Sequence, residues 1–222
     1  MFNYCPPKDL QELKSETLST GRHYVLPDGT KLPSVTTVIG AQKKAEIMAW
    51  RKRVGEEEAN RISKKASSRG TNVHTLCEKY LNNDENYAKK AMPDAMEMFR
   101  SIKPLLNNIN NIHYQECALW SKKLGMAGRV DCIAEYNGVL SVIDFKTSRR
   151  IKQRNDILDY FWQTTAYSLM YEELIGAPIH NLVIIMAVEN EDPLVFIENT
   201  QDHIDGLAQA INFYNGINKK ST

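Results

Sequence analysis

The chain has only four cysteines, Cys5, Cys77, Cys117 and Cys132, and no CxxC pair among its 222 residues. A zinc or iron–sulfur centre needs clustered thiolates, so this spacing argues for reduced thiols in a reducing compartment. Long apolar runs are missing as well. The longest, Leu182 to Val188, has seven residues, against the ~20 that a bilayer-crossing helix requires. The opening residues MFNYCPPKDLQ show neither the basic head nor the apolar core of a secretory signal, so a cytoplasmic protein with no membrane partner is expected. There is no GxxxxGK[ST] or GxGxxG loop, which disfavours a nucleotide-binding enzyme. No repeat, low-complexity tract or Gly/Ser linker divides the chain, and residues 1–222 read as a single domain. A chain of this length buries about 70 % of its unfolded surface.

Net charge is +1, which selects no partner, but its distribution is uneven. Between Lys43 and Arg69 nine basic residues stand against four acidic ones, and Arg149, Arg150, Lys152 and Arg154 form a second cluster. Both clusters suit a polyanion such as DNA, with Arg69, Arg149 and Arg150 as candidate contacts. A solvated helix face balanced by Glu56, Glu57 and Glu58 explains the first cluster equally well.

Residues 1 to 22 read as irregular, and HYVLPDGTKLPSV reads as a hairpin turned by Pro27-Asp28-Gly29. Residues 44–66 and 69–82 have helical composition with a break at Ser67-Ser68, and a third helix over 87–106 is interrupted by Pro104. Strands are predicted over 112–121, 127–136 and 139–147. A helix over 153–175 ends at Gly176, strands follow over 181–189 and 194–198, and a last helix covers 201–216. The expectation is an α/β fold, a central mixed β-sheet flanked by helices. A helical region at about 44–106 covers a core at about 110–216.

GMAGRVDCIAEYNGVLSVIDFKT, from Gly125 to Thr147, places an aspartate in each of two apolar segments around Asn137-Gly138. Asn-Gly favours a two-residue hairpin turn because both residues tolerate positive φ. Tyr136 then pairs with Val139, and counting outward sets Asp131 opposite Asp144 at a non-hydrogen-bonded position. Lys146 projects from the same face as Asp144, while Phe145 points the other way into packing. Facing carboxylates repel each other in a sheet. A divalent cation removes that conflict, since two convergent carboxylates are hard oxygen ligands for Mg2+ or Mn2+. The blander reading is a solvated Asp and a weak surface pair with Lys146.

These residues resemble the PD-(D/E)xK nuclease superfamily, in its RecB-like branch. GRVD and IDFKT align Asp131, Asp144 and Lys146 with that pattern. RGTNVHTLCE is similar to the upstream helical motif with His74, and WQTTAYSL to a Q-x-x-x-Y helix with Gln163 and Tyr167. Glu116 matches an acidic position on the preceding strand. LPSVTTVIG and the same spacings make the chain most similar to the mitochondrial genome maintenance exonucleases, without a targeting segment and with a shorter N-terminus, as in a compact phage or bacterial relative.

The resemblance implies a restriction-endonuclease-like core and a Mg2+- or Mn2+-dependent DNA exonuclease that prefers single-stranded ends. The catalytic set would be Asp131, Asp144 and Lys146. His74 and the Phe145 carbonyl would join the aspartates around the ion, and Glu116 would bind a second ion or orient a water, unless it is a solvated strand residue. Gln163 and Tyr167 would contact DNA and buttress Lys146, and the helices would arch over a threaded strand. His74 and Glu78 share a helix face. Ser34 and Thr36 either cap a helix or donate to a phosphate. Trp50, Trp120 and Trp162 either stack bases or pack in the core. Replication or recombination proteins are candidate partners. A structure-specific endonuclease and a catalytically silent DNA-binding module are the alternatives.

Overall fold

The fold is built around the Asn-Gly turn, and the computed structural model describes residues 1–219. Asn137 and Gly138 adopt φ of 51° and 79°, which gives the turn the twist that antiparallel strands need. Strands β5 (Met126–Tyr136) and β6 (Val139–Ser148) pair from Tyr136↔Val139 to Cys132↔Ile143. β4 (Ile109–Ser121) lies antiparallel on the other side of β5. From β6 the chain crosses through α5 (Leu158–Ile175) to β7 (Asn181–Val188), which runs parallel to β6. A parallel neighbour requires such a crossover, because a tight turn can only reverse a strand. Gly176, at φ 84°, ends α5 in the left-handed conformation. β8 (Leu194–Asn199) completes a five-stranded mixed sheet of order β4-β5-β6-β7-β8, and α6 (Ile204–Lys219) closes the fold. β7 is buried along nearly its whole length, as its continuous apolar run requires of a strand covered on both faces.

Alternation along the strands fills two layers. Cys132, Ala134, Ile143 and Phe145 pack under Val73, Leu76, Phe99 and Ile102 of helices α3 (Glu56–Leu81) and α4 (Pro93–Leu106). Ile133 and Val142 pack under Ala166, Tyr167, Met170 and Tyr171 of α5. A smaller sheet of β1 (Lys14–Leu18), β2 (Gly21–Val25) and β3 (Lys31–Pro33) sets Tyr24, Leu26 and Leu32 against Ala118 and Ala127 of the main sheet.

Several boundaries differ from the sequence expectation. β1 lies in the segment expected to be irregular, and its side chains are mostly exposed, so it carried no apolar alternation. The helical break falls at Gly55, φ 86°, between α2 (Lys44–Val54) and α3. α3 runs unbroken through Ser67 and Ser68, because only the glycine adopts the positive φ that ends the preceding helix. α4 starts at Pro93 rather than at residue 87, and Pro104 sits in its last turn without ending it. A 3-10 turn precedes both α5 and α6, which shortens each helix at its N-terminus. Among the described residues no helix is long and apolar enough to cross a membrane.

Candidate active site

Asp131 sits at the middle of three strands, where two pairing registers meet. Toward β6 the ladder stops at Cys132↔Ile143, one position short of the aspartates. There the Phe145 N–H donates to Asp131 Oδ2 at 2.8 Å, so a side chain takes the place of a ladder carbonyl and the strands part. Toward β4 the pairs Gln115↔Cys132 and Cys117↔Val130 set Glu116 opposite Asp131. Five non-glycine residues have positive φ among those described. Four are asparagines, which tolerate it; the fifth is Glu116, at φ 46°. Glutamate in this conformation is strained, and such strain persists only where the surroundings impose it. Arg129 supplies part of that imposition: its guanidinium donates to the Glu116 carbonyl and pairs with Glu12 at 2.6 Å.

His74 reaches the same point from α3, with Nδ1 3.4 Å from Asp131 Oδ2. One ligand atom from each of His74, Glu116 and Asp131 falls within 4.8 Å of the others. An imidazole and two carboxylates at that spacing suit a divalent cation that favours oxygen and accepts nitrogen. Glu78, one turn beyond His74, lines the same cleft but stands outside this group of three.

Asp144 is engaged differently from the twin-ligand expectation. It is 1 % exposed and its Oδ2 lies 2.5 Å from Lys146 Nζ, a close ion pair. Its Oδ1 accepts from Gln163 Nε2 at 3.0 Å, and Lys146 Nζ donates to Gln163 Oε1 at 3.3 Å. The amide of Gln163 thus holds both members of the pair, and the Tyr160 ring lies 4.9 Å from the ammonium. Among the described residues the three-ligand group excludes Asp144, because its carboxylate is turned to the lysine.

The charges follow from burial and neighbours. Burial pushes Asp144 up to about 6, and Lys146 opposes this while Asp131 adds to it. Burial also pushes Glu116 up to about 7, with Asp131 contributing. Asp131 stays below its usual range: burial works against the carboxylate, but His74, Lys146 and the Phe145 N–H more than reverse it. For His74 burial opposes the charge, and Asp131 overcomes it to raise the imidazole to about 9. Lys146 is likewise raised, since Asp144 and Asp131 outweigh its burial. A cation binding here must displace protons from His74 and, near neutral pH, from Glu116.

The remaining residues expected at the site separate into two groups. Phe145 is packed in the core at 2 % exposure, its side chain turned away from the cleft as expected. Tyr167 is equally buried; a Cβ on Gly128 would sit 2.8 Å from its ring and hydroxyl, so Tyr167 packs against β5 and lines the cleft with little exposed surface for a DNA strand. Ser34 is buried and accepts the Thr37 N–H at 3.0 Å as the cap of α1 (Val35–Gly40), which is the capping alternative. Arg69 is 5 % exposed and donates to Glu189 at 2.8 Å, so it is not a free phosphate contact. Arg149, exposed, lies 3.8 Å from the same Glu189 carboxylate, and Arg150 is exposed. Trp50, Trp120 and Trp162 are all half-buried. A cleft of about 520 Å³ joins His74, Glu116, Asp131 and Lys146 to Arg22 and Thr36 at the edge of the small sheet. The cross-strand partnership of Glu116 with Asp131 and the grip of Arg129 were not anticipated. GRVD contains Arg129, but its reach to Glu116 depends on the register of β4.

Comparison with known proteins places this geometry in context. Mitochondrial genome maintenance exonuclease 1 of Mus musculus is 29 % identical over 129 residues, covering 54 % of this chain and 38 % of that protein. The Xenopus tropicalis protein of the same name is 26 % identical over 179 residues, covering 76 % and 51 %. The chain therefore spans about half or less of the length of these curated relatives. A solved structure from Eubacterium rectale, provisionally described as an exonuclease, is 16 % identical over 68 % of each chain with a TM-score of 0.45. The sequence pattern of a nuclease family matches residues 42–213, from the start of the helical region to within α6. By that match, which takes in all of the strands and helices that meet at Asp131, the chain belongs to the PD-(D/E)XK nuclease superfamily.

Proposed function

We propose that the chain is a divalent-metal-dependent deoxyribonuclease that hydrolyses phosphodiester bonds, working inward from single-stranded ends. The observation that carries this reading is the convergence of His74, Glu116 and Asp131 within 4.8 Å, beside a lysine held by Asp144 and Gln163. His74, Glu116 and Asp131 would hold Mg2+ or Mn2+. Such an ion neutralises charge on the phosphate and lowers the pKa of a water to make a nucleophile.

The chain's own residues do the rest. Lys146 keeps its proton at Nζ, so it serves as a charged donor to a non-bridging phosphate oxygen, where negative charge grows in the transition state. Asp144 and Gln163 fix the ammonium in position. The strained backbone at Glu116, clamped by Arg129, aims its carboxylate at the same point as Asp131. The exonuclease names of the relatives support dependence on a free end. The test compares a linear single-stranded oligonucleotide with its covalently closed circle, in Mg2+, for wild type and Lys146→Ala. Degradation of the linear form alone, abolished by Lys146→Ala, is expected. Cleavage of the circle would replace the end-dependent reading with an endonuclease, and equal turnover by the variant would remove the proposed role of Lys146.

A further inference from the structure

The cleft holds four cationic side chains, and three are already engaged. His74 is paired with Asp131, Lys146 with Asp144, and Arg129 with Glu12 and the Glu116 carbonyl. The fourth is Arg22 on β2, exposed, lining the cleft, and with no side-chain hydrogen bond or ion pair among the described residues. Its backbone is fixed. The Arg22 carbonyl accepts the Ser34 N–H at 2.8 Å, and neighbouring Gly21 adopts φ 118° so tightly against Thr37 that a Cβ would lie 2.6 Å from its methyl. The same connection brings the exposed Thr36 hydroxyl, 3.1 Å from Ser34 Oγ, to the cleft wall beside Arg22. β2 also lies outside the 42–213 match, so the shared nuclease core does not supply this cation.

We propose that Arg22, with Thr36 beside it, is a phosphate-binding subsite by which the small N-terminal sheet grips the nucleic-acid strand next to the bond being cut. The inference rests on the proposed nuclease reading. An uncommitted guanidinium on a rigid strand presents a planar fork to two phosphate oxygens at little ordering cost. The occupant is a phosphate, either the terminal monophosphate of a strand or an internal diester adjoining the scissile one.

The experiment measures binding of the full chain to a fluorescent single-stranded oligonucleotide by anisotropy in EDTA across a salt series. It uses wild type, Arg22→Ala, Arg22→Gln and Arg22→Lys, with circular dichroism to confirm folding. Lys14→Ala, an exposed cation on β1 away from the cleft, is the control. Arg22→Ala and Arg22→Gln are expected to raise Kd about 10- to 100-fold and to reduce the salt slope by about 0.7, the contribution of one single-stranded phosphate. Arg22→Lys should keep most of the slope and lose part of the affinity. With 5′-phosphate and 5′-hydroxyl versions of the oligonucleotide, and the same pair at the 3′ end, loss of a phosphate preference in Arg22→Ala assigns the terminal monophosphate. An equal loss on all versions assigns the internal diester. Unchanged Kd and slope in folded Arg22 variants, or an equal loss in Lys14→Ala, overturns the subsite. If wild type binds through Arg22 but cleaves nothing in Mg2+, the phosphate contact stands, its place beside a scissile bond is overturned and the nuclease reading falls. If Lys146-dependent cleavage is present and Arg22 has no effect on binding, the subsite alone is lost.

Discussion

Replacing Lys146 with methionine removes one half of a buried ion pair and leaves the other half in place. Asp144 is 1 % exposed and would keep only the 3.0 Å bond from Gln163. At 2.5 Å and an effective dielectric near 20, the attraction lost is ~7 kcal/mol before the cost of withholding both groups from water. Deleting one partner of such a pair costs ~3–5 kcal/mol; because Lys146 keeps 18 % exposure, the lower end, ~3 kcal/mol, is expected. The loss should depend on pH, with a definite sign. In the native protein burial raises Asp144 to about 6, above the usual carboxylate range, so its contribution to stability is present at low pH and is lost as pH rises from that range to about 6. Without Lys146 its pKa climbs further, and the variant goes on losing stability above pH 6 where wild type has levelled off. Urea unfolding in EDTA from pH 5 to 8 measures this. The deficit should be smallest near pH 5 and grow above pH 6, and Asp144→Asn in the Lys146→Met background should recover most of it. A deficit under ~1 kcal/mol, a deficit flat in pH, or strict additivity of the two substitutions would refute the pairing argument.

Gly128→Ala would push a methyl to 2.8 Å from the buried Tyr167 ring and 3.1 Å from Val35, and should cost ~1–3 kcal/mol in a urea melt; no measurable loss would mean that the ring yields freely. Ser34→Ala removes the cap of α1 and should cost about 1 kcal/mol, read from the same melts. Burial raises Glu116 to about 7, so Mn2+ binding followed calorimetrically should release more protons at pH 6.5 than at pH 8; equal release at both would place Glu116 outside the site.

What could be read from the sequence was local or periodic. Asn137-Gly138 set the β5–β6 register correctly as far as Cys132↔Ile143, and the strand expected over 181–189 is β7, Asn181–Val188. The parting of the strands at Asp131 was not legible, because it depends on a side-chain oxygen capturing the Phe145 N–H. Glu116 was singled out by likeness alone. Its position opposite Asp131 follows from a register that shifts between Asn110 and Tyr114, where no residue pattern announces a bulge. Arg69 looked like one member of a basic surface stripe; its burial against Glu189, 120 residues away, is a tertiary outcome that composition does not encode. The role of Arg22 depends in the same way on how the small sheet docks, through the Ser34↔Ala127 bridge, onto β5.

The most direct test of the central claim is a Mn2+ titration of the metal-free protein followed by electron paramagnetic resonance, comparing wild type with Asp131→Asn and His74→Ala. The account predicts a saturable site in wild type that Asp131→Asn abolishes and His74→Ala weakens, with the fold intact in both variants. Binding of equal strength in wild type and Asp131→Asn would contradict it.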